Sequence, residues 1–297
     1  MTLTRVDSST NDPSGYSFEP PSTPVPPRRI SMPVPWVTRV LVGINVLVFV
    51  AMIATGGSAS GFNDQFVLLW GANFGPLSLG PQPWRMFTSN YVHGNLVHIA
   101  LNMWCLWNLG SLAEFIFGPW TLLWVYTFCG LAGSLASLWW HPNVIGVGAS
   151  GAIFGLAGAL IAAIYLGKLP YPREAFRGTL RSLLAFAGYN LLFGAAISVV
   201  DNSAHIGGLV MGLLLGTVIG QYLHRPPDSR RSMEWLTFGG AVLLLFVLFG
   251  YVKQTRSRVV DQEDSRAITS GRAGEAVAAA RIGDGVPGRT EIPAQPA

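Results

Sequence analysis

GASGAIFGLAGALIAAIYLG, residues 148–167, holds twenty residues without a charge, and glycine or alanine fills more than half of it. A run of about 20 apolar residues is long enough to cross a ~30 Å hydrocarbon core. Working outward, six further runs of this kind appear. With this one trimmed to 149–167, the spans read as 37–55, 96–113, 118–140, 149–167, 180–199, 203–222 and 233–252. Half of the 297 residues are hydrophobic and 11% are charged, against about a quarter charged in a soluble domain. The reading is an all-α polytopic membrane protein.

The basic residues orient it. Arg5, Arg28, Arg29 and Arg39 precede or open the first span; Lys168, Arg173, Arg177 and Arg181 lie between spans four and five. Arg225, Arg230 and Arg231 lie between six and seven. If the spans alternate, these eleven share one side, and the opposite loops before the tail hold only Arg85. The positive-inside rule then puts the N-terminus and these loops in the cytoplasm. The net charge of +4 reflects orientation signals rather than a nucleic-acid patch.

Residues 1–35, rich in Pro, Ser and Thr, read as a disordered cytoplasmic segment. They lack the apolar core of a cleavable signal peptide, so the first span is expected to direct insertion. Residues 223–252 form a cytoplasmic loop and a seventh span. Residues 253–297 read as a soluble tail, with one short helix near 273–282 and no recognised motif. Cys105 and Cys129 fall in mid-span and read as small apolar packing residues.

Polar side chains are costly within a bilayer, so an intramembrane pair of them is a functional-site hypothesis by default. Ser150 opens span four and His205 opens span six, in Ala204-His-Ile-Gly-Gly208-Leu-Val-Met-Gly212. A serine needs a base to take its proton, and histidine is the usual one. Gly148 and Gly151 flank the serine and permit a tight turn. Gly151-xxx-Gly155 and Gly208-xxx-Gly212-xxx-Gly216 would let two helix backbones approach closely, as a direct Ser–His hydrogen bond requires. Taken singly, Gly-Ala-Ser-Gly also reads as a packing surface with Ser150 as a helix cap. On span two, His98 and Asn102 share a helix face at i, i+4. They could donate to a developing oxyanion or simply join helices. Asparagine is a poor zinc ligand and no glutamate completes a His-Glu-x-x-His pattern, so neither a metal nor another cofactor is expected. Asp201, four residues before His205, could orient it, but Asp201, Asn202 and Ser203 read better as the loop and N-cap of span six. With alternating spans, His98, Ser150 and His205 all lie near the non-cytoplasmic face.

In order and spacing, Trp84-Arg85, His93, His98-xxx-Asn102, Gly148-Ala-Ser-Gly151, Phe154 and Ala204-His205-xx-Gly208-xxx-Gly212 resemble the rhomboid intramembrane serine proteases over residues 36–222. The resemblance implies a six-helix core, to which span seven is an addition. It implies a catalytic dyad of Ser150 and His205, and an oxyanion hole from His98, Asn102 and the Ser150 N–H. Phe154 falls where the family packs an aromatic on the catalytic histidine, His93 where a residue lines the cavity, and Trp84-Arg85 in a loop set into the outer leaflet. Gly148 and Gly151 would line the site. The expected substrates are single-span membrane proteins, cut in or near the transmembrane helix, with bilayer lipid the other partner. Such a helix must unwind locally before its carbonyl can be attacked. The expected location is the cell membrane, with the site near the extracytoplasmic face. A rhomboid-like factor that binds membrane proteins without cutting them is the alternative, and the presence of both Ser150 and His205 argues against it. A transporter is disfavoured because acidic residues are lacking within the spans except at their ends, as with Glu114, and no inverted repeat is present.

Overall fold

A computed structural model describes residues 34–170, 172–196 and 200–269. Within these the regular secondary structure is helical, apart from one isolated antiparallel bridge between Asn73 and Gly146. The helices are α1 (Trp36–Ala54), α2 (Asp64–Leu69), α3 (Gly75–Ser78), α4 (Arg85–Thr88), α5 (Leu96–Phe117), α6 (Pro119–Trp140), α7 (Ser150–Leu166), α8 (Arg177–Ala196), α9 (Asn202–Tyr222) and α10 (Pro227–Thr269), with a 3-10 turn before α8. Among the described residues, α1, α5, α6, α9 and the 228–256 part of α10 are long and apolar enough to cross a membrane. This is a multi-pass membrane protein. At 17 residues, α7 spans about 25 Å at 1.5 Å per residue. α8 has the length but carries Arg177, Arg181 and Asn190.

Packing explains why α7 needs so little polarity on any face. Thirteen of its residues are buried, because it runs through the middle of the bundle against α9 and α6. A helix apolar all round belongs in such a position. The α7–α9 seam is built from absent side chains. A Cβ on Gly208 would overlap the Gly151 carbonyl, one on Gly212 the Gly155 carbonyl, and one on Gly216 the Ala159 backbone. Three successive small residues in register therefore bring the two backbones into contact, and the glycine spacing in the sequence is met by that pairing. Cys129 is buried on α6 opposite Gly155, and both cysteines are free.

The other long helices close around this pair. α1 starts after Pro35, which offers no side-chain cap. Its first amides instead find the carboxylate of Glu114, near the end of α5. Val37 N–H donates to Oε1 at 3.0 Å, and Thr38 N–H and Oγ1–H donate to Oε2 at 2.8 Å. A negative charge there satisfies orphan donors and complements the helix dipole. We expect Glu114→Ala to cost about 2–5 kcal/mol, since hydrogen bonds to charged groups are each worth about 1.5–3 kcal/mol. Glu114→Gln, which keeps one acceptor, should cost less. Thermal unfolding in detergent measures both, and a wild-type melting temperature in Glu114→Ala would contradict the capping role.

α10 is held at both ends of its apolar part. Arg230 pairs with Glu234 at 2.9 Å and reaches the Phe117 carbonyl at 3.5 Å, and Thr121 Oγ1 donates to Glu234 at 3.2 Å. At the other end the Arg256 guanidinium lies 5.3 Å from the Trp139 ring centroid. The helix runs on to Thr269, past the span end read at 252, so the first part of the expected tail is helical. Loss of apolar residues ends a membrane span but does not end a helix. The short helix anticipated at 273–282 and the segment 1–33 lie outside the described residues. Between α1 and α5 the structure adds α2, α3 and α4, three short helices that no apolar period announces.

Candidate active site

Ser150 is the first residue of α7, so its N–H has no partner within its own helix. The turn before it depends on Gly148, whose φ of +115° lies in the region that side-chain-bearing residues avoid. Gly148 N–H donates to the Ser89 carbonyl at 2.9 Å, and Ala149 N–H points to His93 Nε2 at 3.5 Å. The glycine also leaves room for an imidazole. A Cβ there would come within 2.7 Å of His98 Nε2.

His205 stands in the first turn of α9, buried, with Nε2 2.9 Å from Ser150 Oγ. The Phe154 ring, one turn along α7, stacks on the imidazole with centroids 4.2 Å apart and planes 10° from parallel. Phe186 of α8 backs Phe154 at 5.4 Å. The imidazole is thus fixed in plane by an aromatic face and in direction by hydrogen bonds at its two nitrogens. Nδ1 lies 3.3 Å from Asn202 Oδ1. Asp201 caps α9, accepting from Ala204 N–H at 3.1 Å and from the Ser203 hydroxyl. Its carboxylate is therefore committed to the helix N-terminus, as its place in the sequence suggests. Asn202, read only as loop and cap, reaches the histidine instead. The i, i+3 spacing from Asn202 to His205 was the available signal, because it sets both on one helix face.

The remaining motif residues gather around Gly148. Asn95 Oδ1 caps α5 by accepting from His98 N–H at 2.8 Å. The His98 and His93 rings meet edge-on with centroids 5.1 Å apart. His93 is completely buried, and burial, helped by the neighbouring His98, holds its pKa down to about 3. It is neutral at physiological pH and has no acid–base range there. Asn102 is buried one turn along α5, and its amide donates to the His98 carbonyl at 2.9 Å, which leaves its second N–H for another acceptor. Arg85 is buried and donates to the Leu68 carbonyl at 2.6 Å, the Ala72 carbonyl at 3.2 Å and Gln82 Oε1 at 2.6 Å. It ties α2 to α4, while Trp84 stays half exposed. Among the described residues no cluster of His, Cys, Asp or Glu could hold a metal ion.

A Ser–His pair at the starts of two helices thus meets at the end of a glycine seam inside a multi-helix membrane bundle. Residues 80–222 match the family model for the Rhomboid domain. The chain is 30% identical over 261 residues to Rhomboid protease AarA of Providencia stuartii, an alignment covering 80% of this chain and 90% of that protein. It is 33% identical over 186 residues to Rhomboid protease GluP of Bacillus subtilis (strain 168), covering 63% of this chain and 35% of that one. RHOMBOID-like protein 4 of Arabidopsis thaliana is 31% identical over 210 residues, covering 62% of this chain and 52% of that one. The chain belongs to the rhomboid family.

Proposed function

We propose that this protein is an intramembrane serine endopeptidase that cuts single-span membrane proteins in or near their transmembrane helices with a dyad of Ser150 and His205. The observation that carries this reading is the 2.9 Å approach of Ser150 Oγ to His205 Nε2, stacked under Phe154 at the end of the α7–α9 seam. Neutral His205 takes the hydroxyl proton on Nε2 as Oγ bonds to the scissile carbonyl carbon. The carbonyl oxygen becomes an oxyanion, for which the Ser150 N–H, His98 and Asn102 are the donors. One such donor is worth roughly 3–4 kcal/mol in a soluble protease. Collapse of the tetrahedral species breaks the C–N bond, and the leaving amine takes the proton from His205. Water, deprotonated by the same imidazole, then releases the acyl group from Ser150. His93, Gly148 and Gly151 line the site, and neither metal nor cofactor has a part.

In this reading the core has six spans, α1, α5, α6, α7, α8 and α9, with α10 as the seventh. The protein lies in the cell membrane with its N-terminus in the cytoplasm. The eleven basic residues support that orientation, and it sets Ser150 and His205 near the outer face. Purified protein incubated with a fluorescent single-span peptide should produce two fragments cut near the outer end of the span. Failure to cut any such peptide, with binding retained, would favour the non-proteolytic alternative.

Sidedness is tested separately. In a Cys105→Ala/Cys129→Ala background, a cysteine placed beyond residue 269 should react with an impermeant thiol reagent in intact cells. One at position 177 should react only after the cells are opened. Labelling of position 177 in intact cells would invert the topology and the compartment into which product is released.

A further inference from the structure

We propose that Asn202 is a positioning residue that fixes the tautomer of His205 and ties it to the position of α8. This rests on the dyad reading above. Asn202 Nδ2 donates to the Leu191 carbonyl of α8 at 2.9 Å. A backbone carbonyl can only accept, so the amide nitrogen must point to α8 and Oδ1 must face the imidazole. Oδ1 lies 3.3 Å from His205 Nδ1 and is itself only an acceptor, so Nδ1 carries the hydrogen. Nε2 is then left with its lone pair directed at Ser150 Oγ, 2.9 Å away. The arrangement a general base needs thus follows from a carbonyl on a third helix. The donors run Ser150, His205 and Asn202, each donating to the next, and the Leu191 carbonyl accepts the last bond and so fixes the direction of the others.

Asn202 has little freedom to turn away. Gly194 of α8 packs so closely that a Cβ there would overlap Asn202 Oδ1. α8 itself buries only Leu183, Ala187 and Gly194, and it contributes less to the bundle than its neighbours. The histidine's orientation is therefore referred to the helix that is least constrained by packing. The other ionisable groups near the imidazole do not substitute for Asn202. Asp201 is committed to the Ala204 amide and the Ser203 hydroxyl, and His98 lies beside Gly148.

The test is the rate at which a fluorophosphonate probe labels Ser150 in the full-length protein in detergent, with the labelled fraction measured at completion. The probe reports nucleophilicity without needing a peptide. Asn202→Ala should slow labelling about tenfold, the equivalent of one hydrogen bond lost on the way to the transition state, while the final labelled fraction stays complete. Asn202→Asp keeps an oxygen acceptor for Nδ1–H and should label at close to the wild-type rate, even though its bond to Leu191 is lost. Gly194→Ala, which displaces the Asn202 side chain from the α8 side, should slow labelling as Asn202→Ala does, and the double variant should be no slower than either. A lower labelled fraction with an unchanged rate would make Asn202 a folding residue and overturn the proposal. So would an Asn202→Asp variant as slow as Asn202→Ala, or a Gly194→Ala variant at the wild-type rate. No labelling of the wild type would remove the dyad reading and this inference with it. Labelling of the wild type at the same rate as Asn202→Ala would remove this inference alone.

Discussion

Ser150→Ala and His205→Ala are each expected to reduce cleavage of a transmembrane substrate to background while the protein still inserts and folds. Both side chains belong to one proton-transfer unit. Removing either leaves the other with nothing to do, and the losses should be of similar size and far from additive. In a soluble serine protease the corresponding losses are about 10⁶-fold in turnover. Folding should survive because neither residue holds the core together. Ser150 sits at the open end of α7, and the contact between α7 and α9 rests on the glycines below it. The measurement is turnover of a fluorescent single-span peptide beside a melting curve. Activity near wild type in Ser150→Ala would sink the protease assignment. A loss in His205→Ala restricted to substrate affinity would make the histidine a binding residue.

Much of this site is legible in the residues alone, for a physical reason. Ser150 and His205 are polar groups placed where a bilayer penalises them, and the glycines at four-residue spacing say which helices can touch. α7, with no charge between 150 and 166, could hardly be anything but a buried helix. Other features are hidden because their causes are not local. Glu114 caps α1 from 76 positions away, and no pattern in either segment announces the pairing. α3 and α4 are four residues each, too short for a helical period to register. Asn202 is obscured for a different reason. Asx residues at a helix start are so often caps that the cap reading conceals a second use, and only the Leu191 carbonyl, eleven positions back on another helix, shows which way its amide points. α10 outlasts its apolar run because helix propagation requires hydrogen-bonded backbone and not hydrophobicity.

The second large effect is expected two turns away from the chemistry. Gly212→Ala adds one methyl group, yet its Cβ would overlap the carbonyl oxygen, carbonyl carbon and Cα of Gly155, all backbone atoms that cannot rotate aside. α7 and α9 must therefore separate. Ser150 precedes Gly155 by about one and a half turns of α7 and His205 precedes Gly212 by about two turns of α9, so the separation is delivered to the 2.9 Å bond between them. A displacement of about 1 Å at a reacting pair can cost 10²-fold in rate, and overpacking costs about 1–3 kcal/mol in stability. We expect Gly212→Ala to lose about 10²-fold in turnover with a lowered melting temperature, and Gly212→Val to fail to accumulate as folded protein. Gly43→Ala on α1 is the matched control, since a Cβ there meets no atom within 4 Å. It should leave turnover unchanged. Equal activity in Gly212→Ala and Gly43→Ala would mean that the seam tolerates separation, and the geometry of the Ser–His pair would then have to be held from elsewhere, with Phe154 and Asn202 the remaining contacts able to do it.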